Sequence, residues 1–125
     1  MPDAIPRYPG RAPIDAYGNG GFRFAGMSHR GSILCLPAGI LAWDATTTAD
    51  VTAALIPRLQ QEGATGGVVL LGTGRRAAYP DPHVMIAFRE AGFWLEAMDT
   101  GAAARTYNVL LAEEREITAA LLAVD

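Results

Sequence analysis

A strand, helix, strand pattern in the second half of the chain constrains its fold more than any other feature. Residues 67–71, Gly-Val-Val-Leu-Leu, are apolar and β-branched, the composition of a strand covered on both faces. Residues 93–98 form a second run of strand type. Between them, Asp81-Pro82 reads as a helix start. An Asp side chain accepts from the free N–H groups there, and Pro is tolerated at the first helical position. Val84, Phe88 and Ala91 then mark one helical face, and Gly92 supplies a stop. This order implies parallel pairing through a right-handed crossover. The carboxyl ends of both strands then share one sheet edge, and the loops leaving them become neighbours.

The rest of the chain is read around that unit. Residues 1–16, rich in Pro, are expected as an extended arm, and 17–125 as a single α/β domain. Gly20-Gly21 opens an alternating pattern, with Phe22 and Phe24 on one side and Arg23 on the other. Ala25-Gly26 fits a tight turn, and residues 27–29 return as the second arm of a hairpin. Residues 32–36 read as a buried strand, broken by Pro37-Ala38-Gly39, and 40–43 as another extended piece. Residues 52–61 have helical spacing. Pro57 would cost such a helix about 3 kcal/mol unless it falls in the first turn. The helix therefore starts near Ile56 or is kinked. Residues 102–113 form a helix with Ala103, Tyr107, Leu110 and Leu111 on its apolar side and Arg105 and Asn108 on another. Residues 117–123 are apolar and fit an edge strand or a short helix.

Composition excludes several classes of function. The formal net charge is -3, no lysine occurs, and all ten basic residues are arginines, with no basic stripe. A nucleic-acid partner is not expected. The single cysteine, Cys35, lies in an apolar run and reads as a buried thiol. The first ten residues lack a signal-type apolar core, and no run reaches the ~20 apolar residues of a membrane helix. A cytoplasmic protein is expected, with no transmembrane segment but with peripheral contact to a membrane complex left open.

The candidate site is the pair of strand-end loops: Gly72, Thr73, Gly74, Arg75 and Arg76 after the first strand, and Asp99, Thr100, Gly101, Arg105 and Asn108 from the second strand into its helix. Glycine lets the backbone approach an anion and arginine forks onto its oxygens. The first loop is neither a dinucleotide fingerprint nor a P-loop: Ala77 stands where a third glycine would fall, and the Gly-Lys-Ser/Thr ending is missing. A tight turn with solvated arginines is the plainer alternative. Asp99 either caps the following helix or faces Arg75, Arg76 or Arg105 as a carboxylate. Tyr107 is a polar contact or plain core. No nucleophile lies beside a base: His29 and His83 read as lone surface histidines, and no metal spacing occurs. Trp43 reads as a core anchor, and Trp94 as core in preference to a partner-facing side chain.

Several segments taken together resemble a known family. They are Tyr17-Gly18-Asn19-Gly20-Gly21-Phe22-Arg23, Gly31-Ser32-Ile33-Leu34, Trp43-Asp44, Leu70-Leu71-Gly72-Thr73-Gly74-Arg75-Arg76, and Met98-Asp99-Thr100-Gly101 onward to Leu111. The chain is similar to the Mth938-type domain family of archaea, bacteria and mitochondria, which includes mitochondrial NADH:ubiquinone oxidoreductase complex assembly factor 3. The resemblance implies a compact three-layer α/β domain. Its mixed central sheet has parallel strands and an antiparallel edge, which residues 117–123 would supply, plus a small N-terminal antiparallel β element. It implies assembly or interaction work with no catalytic residues to carry over. Many relatives have cysteine where this chain has Ala104, so thiol chemistry at that position is absent here.

The sequence therefore favours a non-catalytic interaction or assembly factor with no cofactor. It would meet an unknown protein partner or a small anionic ligand at the paired loops. The rival is a small-molecule enzyme using Asp99 with Arg75, Arg76 and Arg105.

Overall fold

The structure, a computed structural model, describes residues 7–125. Six strands form one mixed sheet: β1 (Arg7–Tyr8), β5 (Ser32–Leu36), β6 (Gly39–Trp43), β7 (Gly67–Gly72), β8 (Phe93–Met98) and β9 (Thr118–Leu121). Their spatial order is β1-β6-β5-β9-β7-β8. Strands β2 (Ile14–Gly18), β3 (Gly21–Phe24) and β4 (Met27–Arg30) form a separate antiparallel sheet.

The crossover unit is present as the sequence implies. Strands β7 and β8 pair in parallel, with Gly67 opposite Phe93 and Gly72 opposite Met98. Helix α2 (Pro82–Glu90) connects them and buries Val84 and Phe88. Pro82 takes the expected first-turn place, but the Asp81 side chain does not cap. Its backbone carbonyl serves instead, accepting from Val84 and Met85 at 2.9 and 3.2 Å.

Strand β9 departs from expectation. It is an inner strand, parallel to β7 and antiparallel to β5. All four of its residues are buried, as suits a strand flanked on both sides and covered on both faces. The antiparallel edge of the sheet is supplied by β1 pairing with β6, not by residues 117–123. Residues 7–16 fall within the segment expected as an arm and bend at Pro9-Gly10. Arg7–Tyr8 adds to the large sheet and Ile14–Gly18 to the small one. Residues 1–6 of that reading lie outside the described residues.

Two helices cover one face of the large sheet. Helix α1 (Leu55–Gln61) begins two residues before Pro57, so the proline falls in the first turn, where its missing N–H costs no intrahelical hydrogen bond. Leu55, Leu59, Val84 and Phe88 pack there against Leu34, Leu41, Val69, Leu71, Phe93 and Leu95. The opposite face packs against helix α3 (Thr100–Ala112) and the small sheet, through Ala103, Ala104, Tyr107, Phe22 and Phe24. Tyr107 is thus core. The β3–β4 turn carries φ +52° at Ala25 and +75° at Gly26, the two positive values of the tightest hairpin turns. Trp94 corrects the expectation of a core residue: it is 53% exposed, on edge strand β8.

Candidate functional site

Strands β7 and β8 end side by side, and the loops leaving them meet as the topology requires. Thr73 N–H donates to the Met98 carbonyl at 2.8 Å. Thr100 N–H donates to the Gly74 carbonyl at 2.8 Å, and Gly74 N–H donates back to Thr100 Oγ1 at 2.8 Å. The Thr100 hydroxyl gives its own proton to the Leu122 carbonyl at 2.8 Å. Leu122 N–H reaches Gly72 O at 2.9 Å. One fully buried threonine therefore ties together the ends of β7, β9 and α3.

Glycine at position 72 follows from that knot. A Cβ there would stand 3.0 Å from the Cα and Oγ1 of Thr100 and from a Leu121 methyl. Gly74 has φ +101°, a turn conformation suited to glycine. The Thr73 hydroxyl is 2.7 Å from the Arg76 carbonyl and 3.1 Å from that of Met98, and it accepts from Ala78 N–H at 3.0 Å. The first loop is thus folded onto itself by a side chain.

Asp99 takes the capping role. Its Oδ1 accepts from Ala102 N–H at 2.9 Å at the start of α3, where a carboxylate also suits the positive end of the helix dipole. Gly101 lies under the Tyr17 ring of β2: a Cβ would collide with the Tyr17 hydroxyl and stand 3.3 Å from Arg105 Nη1. Asn108 grips the backbone of Ile14 from both sides. Its Oδ1 accepts from Ile14 N–H and its Nδ2 donates to Ile14 O, each at 2.8 Å. Its work is to hold β2 against α3.

Gly72, Thr73, Gly74, Asp99, Thr100 and Gly101 are therefore brought together by hydrogen bonds within the chain. The arginines are arranged around them, not aimed at one point. Arg75 Nη2 donates to the Asp125 carbonyl at 3.1 Å. Arg105 lies on the Tyr17 side of Gly101. Arg75, Arg76 and Arg105 are exposed and form no ion pair among the described residues. Sequence reasoning missed Leu122, Tyr17 and Ile14 as the partners of Thr100, Gly101 and Asn108. All three contacts join segments distant in sequence, for which no local signal exists.

Two concavities lie elsewhere. One of about 310 Å³ is bounded by Tyr17, Asn19, Arg23, Ser28 and Arg30. One of about 450 Å³ lies beside Trp43, Asp44 and Asp125. Neither is lined by residues 72–76 or 99–105.

The groups with conventional reactivity are buried. Cys35 has no exposed surface, and burial pushes its thiol up to about 12 despite a hydrogen bond with Tyr107. His29 is a correction to the surface reading: it is buried, with 4% exposure. Nε2 lies 3.2 Å from the Ser32 carbonyl, an acceptor only, so Nε2 carries the proton. Nδ1 is buried with no partner among the described residues. Burial holds the imidazole below its ordinary pKa. His83 is exposed, as expected. Among the described residues no group of three His, Cys, Asp or Glu side chains is placed to hold a metal ion, and no helix is long and apolar enough to cross a membrane.

Residues 14–122 match the family described as protein of unknown function (DUF498/DUF598). The chain belongs to this family. The match begins at β2 and ends at the Leu122 contact of the loop knot. Among solved structures, a Bartonella henselae protein described as an outer membrane protein has 49% identity and a TM-score of 0.85, covering 94% of this chain and 99% of that one. A Bordetella pertussis protein described as a Mth938-like domain has 32% identity and a TM-score of 0.72, covering 90% of this chain and 85% of that one. The resemblance to the Mth938-type domain and its mixed α/β architecture hold. The bovine NADH dehydrogenase [ubiquinone] 1 alpha subcomplex assembly factor 3 is 33% identical over 116 residues, covering 87% of this chain. This DUF498/DUF598 chain spans 59% of the length of that relative.

Proposed function

We propose that this chain is a non-catalytic assembly factor that meets an acidic segment of a protein partner on the arginine rim of the loop pair. The observation that carries the reading is the use already made of the site's polar groups. The N–H groups of Thr73, Gly74, Thr100 and Ala102 all have acceptors within the chain. The Thr100 hydroxyl and Asp99 Oδ1 are engaged as well. What faces outward is guanidinium: Arg75, Arg76 and Arg105. Such a surface offers forked donors to carboxylates on a partner. It offers a reduced backbone cradle for a small anion, because four of the loop pair's donors are spent on the fold.

The bovine relative is by name an assembly factor for an NADH dehydrogenase subcomplex. That name supports a partner inside a multi-subunit assembly. The rival enzyme would require Asp99 as a free carboxylate beside an arginine. Its role at the start of α3 speaks for the binding reading.

The test is affinity capture of the tagged chain from its native host, read by mass spectrometry. It is run beside the variant Arg75→Glu, Arg76→Glu, Arg105→Glu. The expected result is a partner subunit enriched by the wild type and lost from the variant, with capture weakened by salt. Equal capture by both chains would remove the rim from the account. Turnover on a substrate panel that disappears in Asp99→Ala, with the fold intact, would favour the enzyme.

A further inference from the structure

The two edges of the large sheet are unlike. At one end β1 is two residues long, the short edge that folded proteins commonly present. At the other end β8 is six residues long and pairs only with β7 among the described residues. It contains no Pro or Lys, its register with β7 runs unbroken, and its one charge is Glu96.

Exposed apolar groups gather at this edge. Trp94 is 53% exposed, and Val68, directly opposite it on β7, is 44% exposed. Ile86, on α2 three residues before Arg89 and so on the same side of the helix, is 51% exposed. The Arg89 guanidinium sits 5.1 Å from the centre of the Trp94 ring. Arg89 has no carboxylate partner among the described residues, and Glu96, exposed on β8, has no cationic one.

We propose that β8 pairs antiparallel with β8 of a second copy of this chain about a two-fold axis through Leu95, giving one sheet continuous across both copies. The charges select this occupant. An axis at Leu95 puts Trp94 opposite Glu96 of the second copy, on the same face. Arg89, stacked on Trp94, then meets that carboxylate, and the symmetry makes the contact twice. The edge thus carries a cation and an anion at the spacing that satisfies its own copy. The apolar flank follows, since Val68 lies beside Trp94 on the same face of the sheet. This interface lies on the β8 edge and involves none of the arginines of the rim, so it stands or falls separately from the assembly reading.

The experiment is sedimentation equilibrium of the purified chain from about 1 μM to about 500 μM, a span that resolves weak and moderate self-association. It compares wild type, Trp94→Ser, Arg89→Glu, Glu96→Arg, and the double variant Arg89→Glu, Glu96→Arg. All substituted positions are exposed, and circular dichroism verifies each fold. The expected wild-type mass approaches twice the 13.2 kDa of the chain. Each single variant should weaken association about tenfold or more, as loss of an anchor or a charge pair does. The double variant, which restores the pairing with the signs exchanged, should dimerise again. A wild type that stays monomeric throughout overturns the proposal. So does a dimer indifferent to the single variants, or a double variant as weak as either parent.

Discussion

Replacing Thr100 by Val tests the loop knot with the least change of shape. The side chain is fully buried, and Val keeps its size while removing the oxygen. Gly74 N–H then loses its acceptor at 2.8 Å, and the Leu122 carbonyl loses its donor at 2.8 Å. A buried polar group left without a partner costs about 1–3 kcal/mol. The N–H should stand near the middle of that range. The carbonyl, with a second lone pair available, should stand near the bottom, giving about 3 kcal/mol for the variant. With a urea slope of about 2 kcal/mol/M, the unfolding midpoint should drop by roughly 1.5 M at unchanged slope. Thr100→Ser retains both hydrogen bonds and loses one methyl, a change worth about 1 kcal/mol. Urea titration of all three proteins separates the hydroxyl from the packing. A valine variant within about 0.5 kcal/mol of wild type would refute the knot, an error margin set by such extrapolations. A serine variant as unstable as the valine one would show that packing, not hydrogen bonding, holds the loops.

Asn108→Ala strands the Ile14 N–H and carbonyl, so stability should fall by about 1–3 kcal/mol, and hydrogen exchange should quicken selectively in residues 14–18. Ala25→Asn puts the favoured Asn-Gly pair into a turn where φ is +52°; thermal unfolding should report a gain of about 0.5–1 kcal/mol, and a loss would refute the turn assignment. The Cys35 thiol, raised to about 12 by burial, should resist alkylation at neutral pH in the native state and react at once in denaturant. His29 is held below its ordinary value of 6.5, so the unfolded chain takes up its proton first. Its contribution to stability should be complete above pH about 6.5 and be lost as pH falls below that; His29→Gln should flatten this part of the urea midpoint against pH.

The crossover unit was legible because its signals are local. Strands 67–71 and 93–98, Pro82 and Gly92 each act within a few residues, and together they dictate the parallel pairing of β7 with β8. Pro57 likewise left a start near Ile56 or a kink, and the helix takes the start. What was not legible depends on neighbours distant in sequence. The segment 117–123 is apolar whether it lies at an edge or inside, and only β5 on one side and β7 on the other make β9 an inner strand. Trp94 has the composition of core, yet it lies on β8, beyond which no strand follows among the described residues. His29 alternates with Ser28 and Arg30 as a hairpin residue would, and the large sheet behind it does the burying. In the candidate site, the meeting of the two loops followed from topology. The role of Asn108 did not, because Ile14 stands 94 residues away.

The most direct test of the assembly reading is an amide NMR titration of the isotope-labelled chain with the partner subunit recovered by capture. The account predicts shifts and line broadening concentrated in residues 72–76 and 99–106, lost in the Arg75→Glu, Arg76→Glu, Arg105→Glu variant and weakened by salt. Binding that perturbs other surfaces while leaving those two segments unchanged, or that persists in the charge-reversed chain, would contradict it.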